Sequence, residues 1–304
     1  MVQVMKPFLK WVGGKTQIID KLIENYPKKM DNYHDIFLGG GSTLFALLSY
    51  VKDNKIVVKK NIYAYDINSD LINVYKNVKN NPKRLYKKIS KIIDEYSNCK
   101  EGIINRKPTT IEEAMTSKES YYYWIRSKYN NLLNEERNCT DVSAMFIFLN
   151  KTCFRGMYRV GPNGFNVPFG NYKNISIIDK DTIIHVSELI KNVKFRCKGF
   201  DKSLLKIKKN DFAYLDPPYV PEKLTSFVKY NLDGFDIKQH KKLFDMCKKL
   251  SKNNIKFMMS NSSVKLVREY FPKKKYSTEI IECRRSINSK NPGKKTNEII
   301  IKSY

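Results

Sequence analysis

Asp216-Pro217-Pro218-Tyr219 is the stretch of this chain best equipped for chemistry. A carboxylate, a proline carbonyl and an aromatic ring together answer the needs of a planar amine, whose lone pair is delocalised and therefore a weak nucleophile. Asp216 can accept one N–H and the carbonyl of Pro217 the other. Two acceptors out of the amine's plane favour a tetrahedral nitrogen, and Tyr219 offers a ring on which a base can stack. The exocyclic amino group of adenine is such an amine. The same four residues also read as a strand followed by a proline turn, so their context has to decide.

The elements around them supply that context. Phe212 to Leu215 is an apolar run that reads as a buried strand, and the two prolines fall where it must stop. Open α/β sheets bind ligands at such carboxyl ends. Earlier, His34 to Leu38 reads as a strand running into Gly39-Gly40-Gly41-Ser42, with a helical pattern from Thr43 to Val51. In this strand, glycine turn and helix, Gly39 and Gly41 permit the tight turn and a close ligand approach. Asn61 to Tyr65 forms a second strand ending at Asp66, an acidic position that can bind ribose hydroxyls. Leu44 occupies the third glycine position of a dinucleotide fingerprint. The pattern therefore favours a ligand with a ribose but no pyrophosphate, a description S-adenosylmethionine meets and NAD does not. Near the N-terminus, Lys6 to Lys15 carries Trp11 between lysines beside Gly13-Gly14, and an amphipathic run from Thr16 to Tyr26 follows. The glycines let backbone N–H groups approach an anion, with Lys15 adding charge, or they serve as the lead-in to a capped helix.

Strand–helix alternation is interrupted once. Residues 81–175 open with the helix signal Asn81-Pro82 and the helical spacing of Leu85, Ile89, Ile92, Ile93 and Tyr96. A polar linker from Gly102 to Thr110 and helices over Lys118–Leu133 and Val142–Leu149 follow. Four consecutive aromatics, Tyr121 to Trp124, point all round a helix and so suit core packing. Asn150 to Tyr172 reads as a hairpin about Gly161-Pro162-Asn163-Gly164, loaded with Phe154, Arg155, Met157, Arg159 and Asn166. Arginine reads guanine edges or holds phosphate, and an apolar side chain can wedge between bases. A solvated surface hairpin is the alternative. Strands over Val193–Cys197 and Ile255–Ser260, a helix over Asp236–Ser251 and a terminal pair, Tyr276–Glu282 with Asn297–Ile301, complete the chain. The connection of that pair is basic, with Arg284, Arg285, Lys290, Lys294 and Lys295. The expected architecture is an α/β, Rossmann-like sheet formed by residues 1–80 and 176–304, with a mostly helical insertion at 81–175.

Composition agrees with a polyanionic partner. Fifty-seven Lys plus Arg against thirty Asp plus Glu give a net charge of +27. An AT-rich genome, which enriches Lys, Asn and Ile, accounts for part of that excess. Six scattered cysteines without a C-x-x-C pair point to a reduced intracellular protein. His34, His185 and His240 are isolated, so no zinc set and no metal requirement is expected. Without a signal core or an apolar run near eighteen residues, the sequence reads as soluble, with no membrane partner.

Taken in order, the motifs resemble the Dam-type, or D12 class α, DNA adenine N6-methyltransferases across nearly the whole chain. The match comprises Pro7 to Lys15, Phe37 to Ser42, Asp66-Ile67-Asn68 with Asp70-Leu71-Ile72, Phe165 to Gly170, Asp216 to Tyr219, Tyr230 with Phe235, and Ser260-Asn261. The resemblance implies that Trp11, Lys15, Phe37 and Asp66 line an S-adenosylmethionine pocket, with Phe200 near the cofactor's adenine. Asp216 would serve both cofactor and target amine, and Tyr219 would stack on a base flipped out of double-stranded DNA. It further implies that the insertion recognises the target, with Lys10, Phe154, Arg155, Met157 and Arg159 at DNA contacts and a GATC or related site. Two positions depart from the pattern: Asp35-Ile36 stands where the family has Glu-Pro, and Arg155 where it has Asn. Rival readings are an RNA or protein amino-methyltransferase, a cytosine N4-methyltransferase, and a sequence-specific DNA-binding protein without catalysis. The family's Asn-Pro-Pro-Tyr variants go with the first two, and Asp216 speaks against them.

Overall fold

The computed structural model describes residues 2–173, 175–221, 235–284 and 295–304. Tyr230 and the Arg285, Lys290 and Lys294 of the basic connection lie outside the described residues. Eleven strands are described: β1 (Lys29–Met30), β2 (Tyr33–Asp35), β3 (Val57–Val58), β4 (Ile62–Asp66), β5 (Val160–Gly161), β6 (Gly164–Phe165), β7 (Val193–Cys197), β8 (Phe212–Leu215), β9 (Lys256–Ser262), β10 (Ser277–Arg284) and β11 (Lys295–Lys302). Seven of them form the central sheet, in the order β10-β11-β9-β8-β2-β4-β7. The five strands from β9 to β7 run parallel, and β11 lies antiparallel between β9 and β10.

This order follows from how the chain winds. From β2 it moves outward through β4 to β7, then returns to lay β8 against the other side of β2, with Asp35 opposite Tyr214. Direction reverses between β2 and β8, and such a reversal opens a crevice at the carboxyl ends of the two strands. Both faces of the sheet are covered. On β8, Phe212 and Tyr214 face one core while Ala213 and Leu215 face the other, the period-two alternation of a buried strand. The helix Ile237–Lys252 covers the second core with Leu243, Phe244, Cys247 and Leu250. Asp236 caps that helix through Gln239 N–H at 2.8 Å.

The short helices Phe200–Ser203 and Lys265–Tyr270 also lie on the second core, and the first holds α1 (Ile19–Glu24), α2 (Ser42–Lys52), α3 (Ser69–Asn80), α4 (Pro82–Ser97), α6 (Lys118–Asn130), α7 (Thr140–Thr152) and α8 (Lys180–Leu189), with the short α5 (Ile111–Ala114) at their edge. Apolar side chains run without a break from Tyr33 and Phe45 through Tyr75 and Val78 to Leu85, Tyr121 and Phe148. Asn77 of α3 donates to Ser143 Oγ of α7 at 2.9 Å. The helical segment after α3 thus shares the sheet's core instead of forming a separate one. Tyr121 and Tyr122 are fully buried, as their packing role requires, and their hydroxyls reach Glu95 at 2.5 Å and the Val167 carbonyl at 2.7 Å.

Several boundaries depart from expectation: the helix over Lys118–Leu133 ends at Asn130, the one over Val142–Leu149 covers Thr140–Thr152, and two more lie beside the crevice. The N-terminal helix covers Ile19–Glu24 and not Thr16–Tyr26. A helix beginning at Thr16 would have Lys15 at its N-cap, and that side chain is buried and offers no acceptor for the first N–H groups. β2 ends at Asp35 and not Leu38, although Ile36 N–H still donates to Tyr214 and Leu38 N–H to Tyr65.

Candidate functional site

The crevice between β2 and β8 gathers residues from four parts of the chain. β8 delivers Asp216, whose carboxylate lies 2.6 Å from Lys15 Nζ. Lys15 is only 4% exposed and Asp216 20%, so the pair stands at the inner wall. Lys15 Nζ also donates to the Gly13 carbonyl at 2.7 Å, while its backbone N–H donates to Ser42 Oγ at 3.2 Å. The glycine lead-in therefore seats a cation against Asp216. Burial pushes the Asp216 carboxyl up from the usual range and Lys15 opposes that, favouring the ionised acceptor. Tyr219 follows with its ring 5.1 Å from Lys15 Nζ and its hydroxyl donating to Glu298 Oε2 at 2.8 Å. The next residue is clamped by the end of β9: Val220 N–H donates to Asn261 Oδ1 at 3.1 Å, and Ser262 Oγ donates to the Val220 carbonyl at 2.5 Å.

β2 delivers a second acid. Asp35 is fully buried; Thr43 Oγ1 donates to its Oδ2 at 3.0 Å and Tyr33 hydroxyl to the same oxygen at 3.4 Å. Its Oδ1 has no hydrogen-bond partner among the described residues. Burial raises its pKa to about 7, with the nearby charges of Asp216 and Asp66 adding to the shift. β4 delivers Asp66, which accepts Gly39 N–H at 3.0 Å and Asn68 N–H at 2.9 Å. Asn68 in turn caps α3 by accepting Leu71 N–H. Burial raises the Asp66 carboxyl while these backbone donors restrain it.

The glycine turn does something the sequence did not suggest. A Cβ built on Gly39 would meet the Trp11 indole at 2.8 Å, and one on Gly40 would meet Trp11 Cβ at the same distance. These glycines make room for Trp11, whose ring also stacks near Phe146 and Tyr158. Trp11 thereby joins the crevice to the helical segment. Gly41, by contrast, has φ of 75° at the entrance of α2. Beside the turn, Phe37, Phe200 and Phe235 form an aromatic cluster with ring centroids 5.7 to 6.1 Å apart.

The hairpin residues gather at a separate place. Lys10 holds them to the crevice: its N–H donates to Asn150 Oδ1 at 2.9 Å and its carbonyl accepts Asn150 Nδ2 at 2.7 Å. Lys10 Nζ donates to the Lys151 carbonyl at 3.2 Å and lies 4.1 Å from the Tyr172 ring centroid. Partial burial lowers its pKa. A Cβ on Gly156, whose φ is 62°, would meet Lys10 Cβ at 2.3 Å, so the turn needs glycine to let the two segments pass. Phe154 and Arg155 are exposed, with the guanidinium 5.2 Å from the Phe154 ring centroid. Arg155 adopts φ of 55°, and its N–H donates to Tyr172 hydroxyl at 2.8 Å. Arg159 Nε donates to Asn166 Oδ1 at 2.6 Å. Met157 is half-buried among Tyr129, Phe146, Leu149 and Phe165, leaving Phe154 as the more exposed apolar group, at 41%.

The structure thus brings together Lys15, Phe37, Gly39, Gly41, Asp66, Phe200, Asp216, Pro217 and Tyr219, with Trp11 beneath the turn. It sets Phe154, Arg155, Met157, Arg159 and Asn166 on the neighbouring hairpin segment, with Lys10 of the N-terminal segment against its base. Glu298 and the clamp on Val220 were not read from sequence; Ser260-Asn261 was the one signal for the latter. Among the described residues no group of three or more His, Cys, Asp or Glu could hold a metal ion, and no helix is long and apolar enough to cross a membrane.

Residues 11–287 match the family model of the D12 class N6 adenine-specific DNA methyltransferases. The chain is 36% identical to the type II methyltransferase M.MjaIII of Methanocaldococcus jannaschii, over 99% of each chain. It is 32% identical to the type II methyltransferase M1.LlaDCHI of Lactococcus lactis subsp. cremoris, over 99% of this chain and 96% of the relative. To the DNA adenine methylase of Escherichia coli K12 it is 28% identical, over 97% of this chain and 94% of that one.

Proposed function

The chain belongs to the D12 class of N6 adenine-specific DNA methyltransferases, and from that premise we propose how its residues divide the work. The substrate is duplex DNA at GATC or a related short site. The target adenine is swung out of the helix, and the methyl donor is S-adenosylmethionine. Residues 1–80 and 176–304 are the catalytic part, and residues 81–175 recognise the target. The observation that carries this reading is Asp216, at the switch point of the sheet, paired with Lys15 at 2.6 Å and followed by Tyr219.

The residues fit the donor. Phe37, Phe200 and Phe235 offer apolar faces for its adenine, and Asp66 a carboxylate for its ribose hydroxyls. The unpartnered Oδ1 of Asp35 suits its ammonium. Lys15, Gly39 and Gly41 shape the wall between these groups. Bound there, S-adenosylmethionine supplies an electrophilic methyl group on a sulfonium.

The protein's own part is positioning and electrostatics. Asp216 accepts one N6 hydrogen of the extruded adenine and the Pro217 carbonyl the other, which localises the lone pair on N6. Tyr219 stacks on the base and keeps its plane fixed. The surplus proton leaves to solvent late in the reaction, so the enzyme needs neither a covalent intermediate nor a metal. On the hairpin, Arg155, Arg159 and Asn166 meet base edges and phosphates, Lys10 contacts a base, and Phe154 or Met157 wedges beside the vacated position.

Asp216→Ala tests the assignment. Methyl transfer to duplex DNA from a radiolabelled donor is expected to vanish, while salt-sensitive DNA binding persists. Undiminished transfer would remove Asp216 from the reaction. Modification-sensitive sequencing of DNA treated with the native enzyme reads the site directly.

A further inference from the structure

Glu298 lies on β11, far along the chain from the catalytic motif, yet its Oε2 accepts the Tyr219 hydroxyl at 2.8 Å. Its backbone is held on both sides, opposite Ser262 of β9 and Ile281 of β10. Ile299 and Ile300, which follow it, are buried at 3% and 1% exposure. The carboxylate therefore projects from a fixed point of the sheet. Tyr219 is fixed from the other end too, because the Asn261 and Ser262 side chains clamp the backbone of Val220. Its ring is consequently held at the Cα end by β9 and at the hydroxyl end by β11. The Glu298 charge also raises the Asp216 carboxyl, so the two acids are near neighbours.

We propose that Glu298 is a positioning residue for methyl transfer: by accepting the Tyr219 hydroxyl it fixes the attitude of the ring on which the target adenine stacks. The inference rests on the reading of Tyr219 as a stacking platform. A ring anchored only at Cα pivots about its side-chain torsions, and each pivot moves the stacked base relative to Asp216. Transfer between fixed partners is sensitive to ångström-scale displacement, so a second anchor acts on the rate of the chemical step more than on DNA affinity. Asn261 and Ser262 cannot replace it, since they hold backbone and leave the ring free to turn.

The experiment uses the full chain with a duplex substrate, measuring kcat and KM for Glu298→Ala, Glu298→Gln, Tyr219→Phe and the double variant Glu298→Ala with Tyr219→Phe. Glu298→Ala is expected to lower kcat about tenfold with the KM for DNA changed less than about threefold. Glu298→Gln keeps an acceptor oxygen and is expected to restore most of the rate. Tyr219→Phe keeps the stacking face but loses the donor, so it should match Glu298→Ala, and the double variant should be no slower than either. A duplex with 2-aminopurine at the target position adds a spectroscopic readout: fluorescence is expected to rise in Glu298→Ala as stacking loosens. Losses that multiply in the double variant, a glutamine variant as slow as alanine, or unchanged fluorescence would overturn the proposal. If Tyr219→Phe and Glu298→Ala both work at full rate while Asp216→Ala is dead, the positioning role falls and the functional reading stands. Transfer surviving in Asp216→Ala would instead remove the functional reading.

Discussion

The crevice and the hairpin meet at Lys10 and Trp11 but are built on opposite plans. In the crevice, most buried polar groups are answered within the protein, Asp35 Oδ1 and Asn261 Nδ2 excepted: Lys15 by Asp216, Asp66 by two backbone donors, Tyr219 by Glu298. On the hairpin, Phe154, Arg155, Arg159 and Asn166 are exposed, and the Arg159–Asn166 contact joins two solvated side chains. A site that performs chemistry gains from charges fixed before substrate arrives, because no reorganisation is then needed in the transition state. A surface that reads DNA gains from groups that exchange water for bases and phosphates. The consequence is a difference in what single substitutions cost, large and pH-dependent in the crevice, small and salt-dependent on the hairpin.

The strongest test of that difference is Lys15→Met. It leaves Asp216 at the inner wall without its cation, and breaking such a pair should cut transfer about a thousandfold near neutral pH. On the proposed mechanism activity requires the ionised Asp216, whose carboxyl burial raises and Lys15 restrains. Without Lys15 the carboxyl rises further, so the acid limb of the pH–rate profile moves to higher pH. An acid limb that stays in place would separate Lys15 from Asp216.

Asp35→Asn comes next. The folded protein holds the Asp35 proton up to about pH 7, against an ordinary value of 3.8. Between those values the folded state binds more protons than the unfolded one, so this group's contribution to stability falls as pH rises from about 4 and levels off above about 7. The asparagine variant should escape the decline. At pH 8 it should melt above the native protein, by roughly 4 kcal/mol of stability, and near pH 4 the two should agree. The same change should weaken S-adenosylmethionine binding, read by calorimetry, if Asp35 faces its ammonium. Equal melting at pH 8 would show that Asp35 carries no such strain.

How much of this was legible in sequence depended on distance along the chain. The strand Phe212–Leu215, the glycine turn and Asp66 are local patterns, each with its backbone reason within a few residues, and each lies where it was expected. The hairpin turn at Gly161–Gly164 was legible for the same reason. Glu298 was not: it sits 79 residues from Tyr219, in a strand whose alternation makes a glutamate look like an ordinary solvent-facing residue. The partnership of Trp11 with Gly39 and Gly40 was hidden likewise, since glycines before a helix suggest an approaching ligand and not an indole. For Met157, an apolar residue on a polar hairpin reads as a wedge; its packing against Phe146 and Phe165 depends on how the hairpin lies on α7.

On the hairpin the effects should be smaller and of another kind. Arg159→Ala is expected to weaken duplex binding by about tenfold at moderate salt and to reduce the slope of log affinity against log salt by about one. A slope unchanged from the native protein would place Arg159 away from phosphate.

Asn166→Ala should have the least effect, and it separates two uses of the same contact. Arg159 Nε donates to Asn166 Oδ1 at 2.6 Å and one terminal nitrogen to the Asn166 carbonyl at 3.2 Å. The substitution removes the first contact and leaves the second, with a change in folding stability of less than about 0.5 kcal/mol because both groups are solvated. If Asn166 holds the guanidinium ready for DNA, its loss adds side-chain entropy to the binding cost, and affinity should fall about threefold. The salt slope should stay native because no charge has been removed. Tighter binding would mean the opposite, that DNA must first pull Arg159 away from Asn166. Then the hairpin, like the crevice, would keep its charge engaged until substrate displaces the partner, and the contrast between the two regions would be one of burial alone.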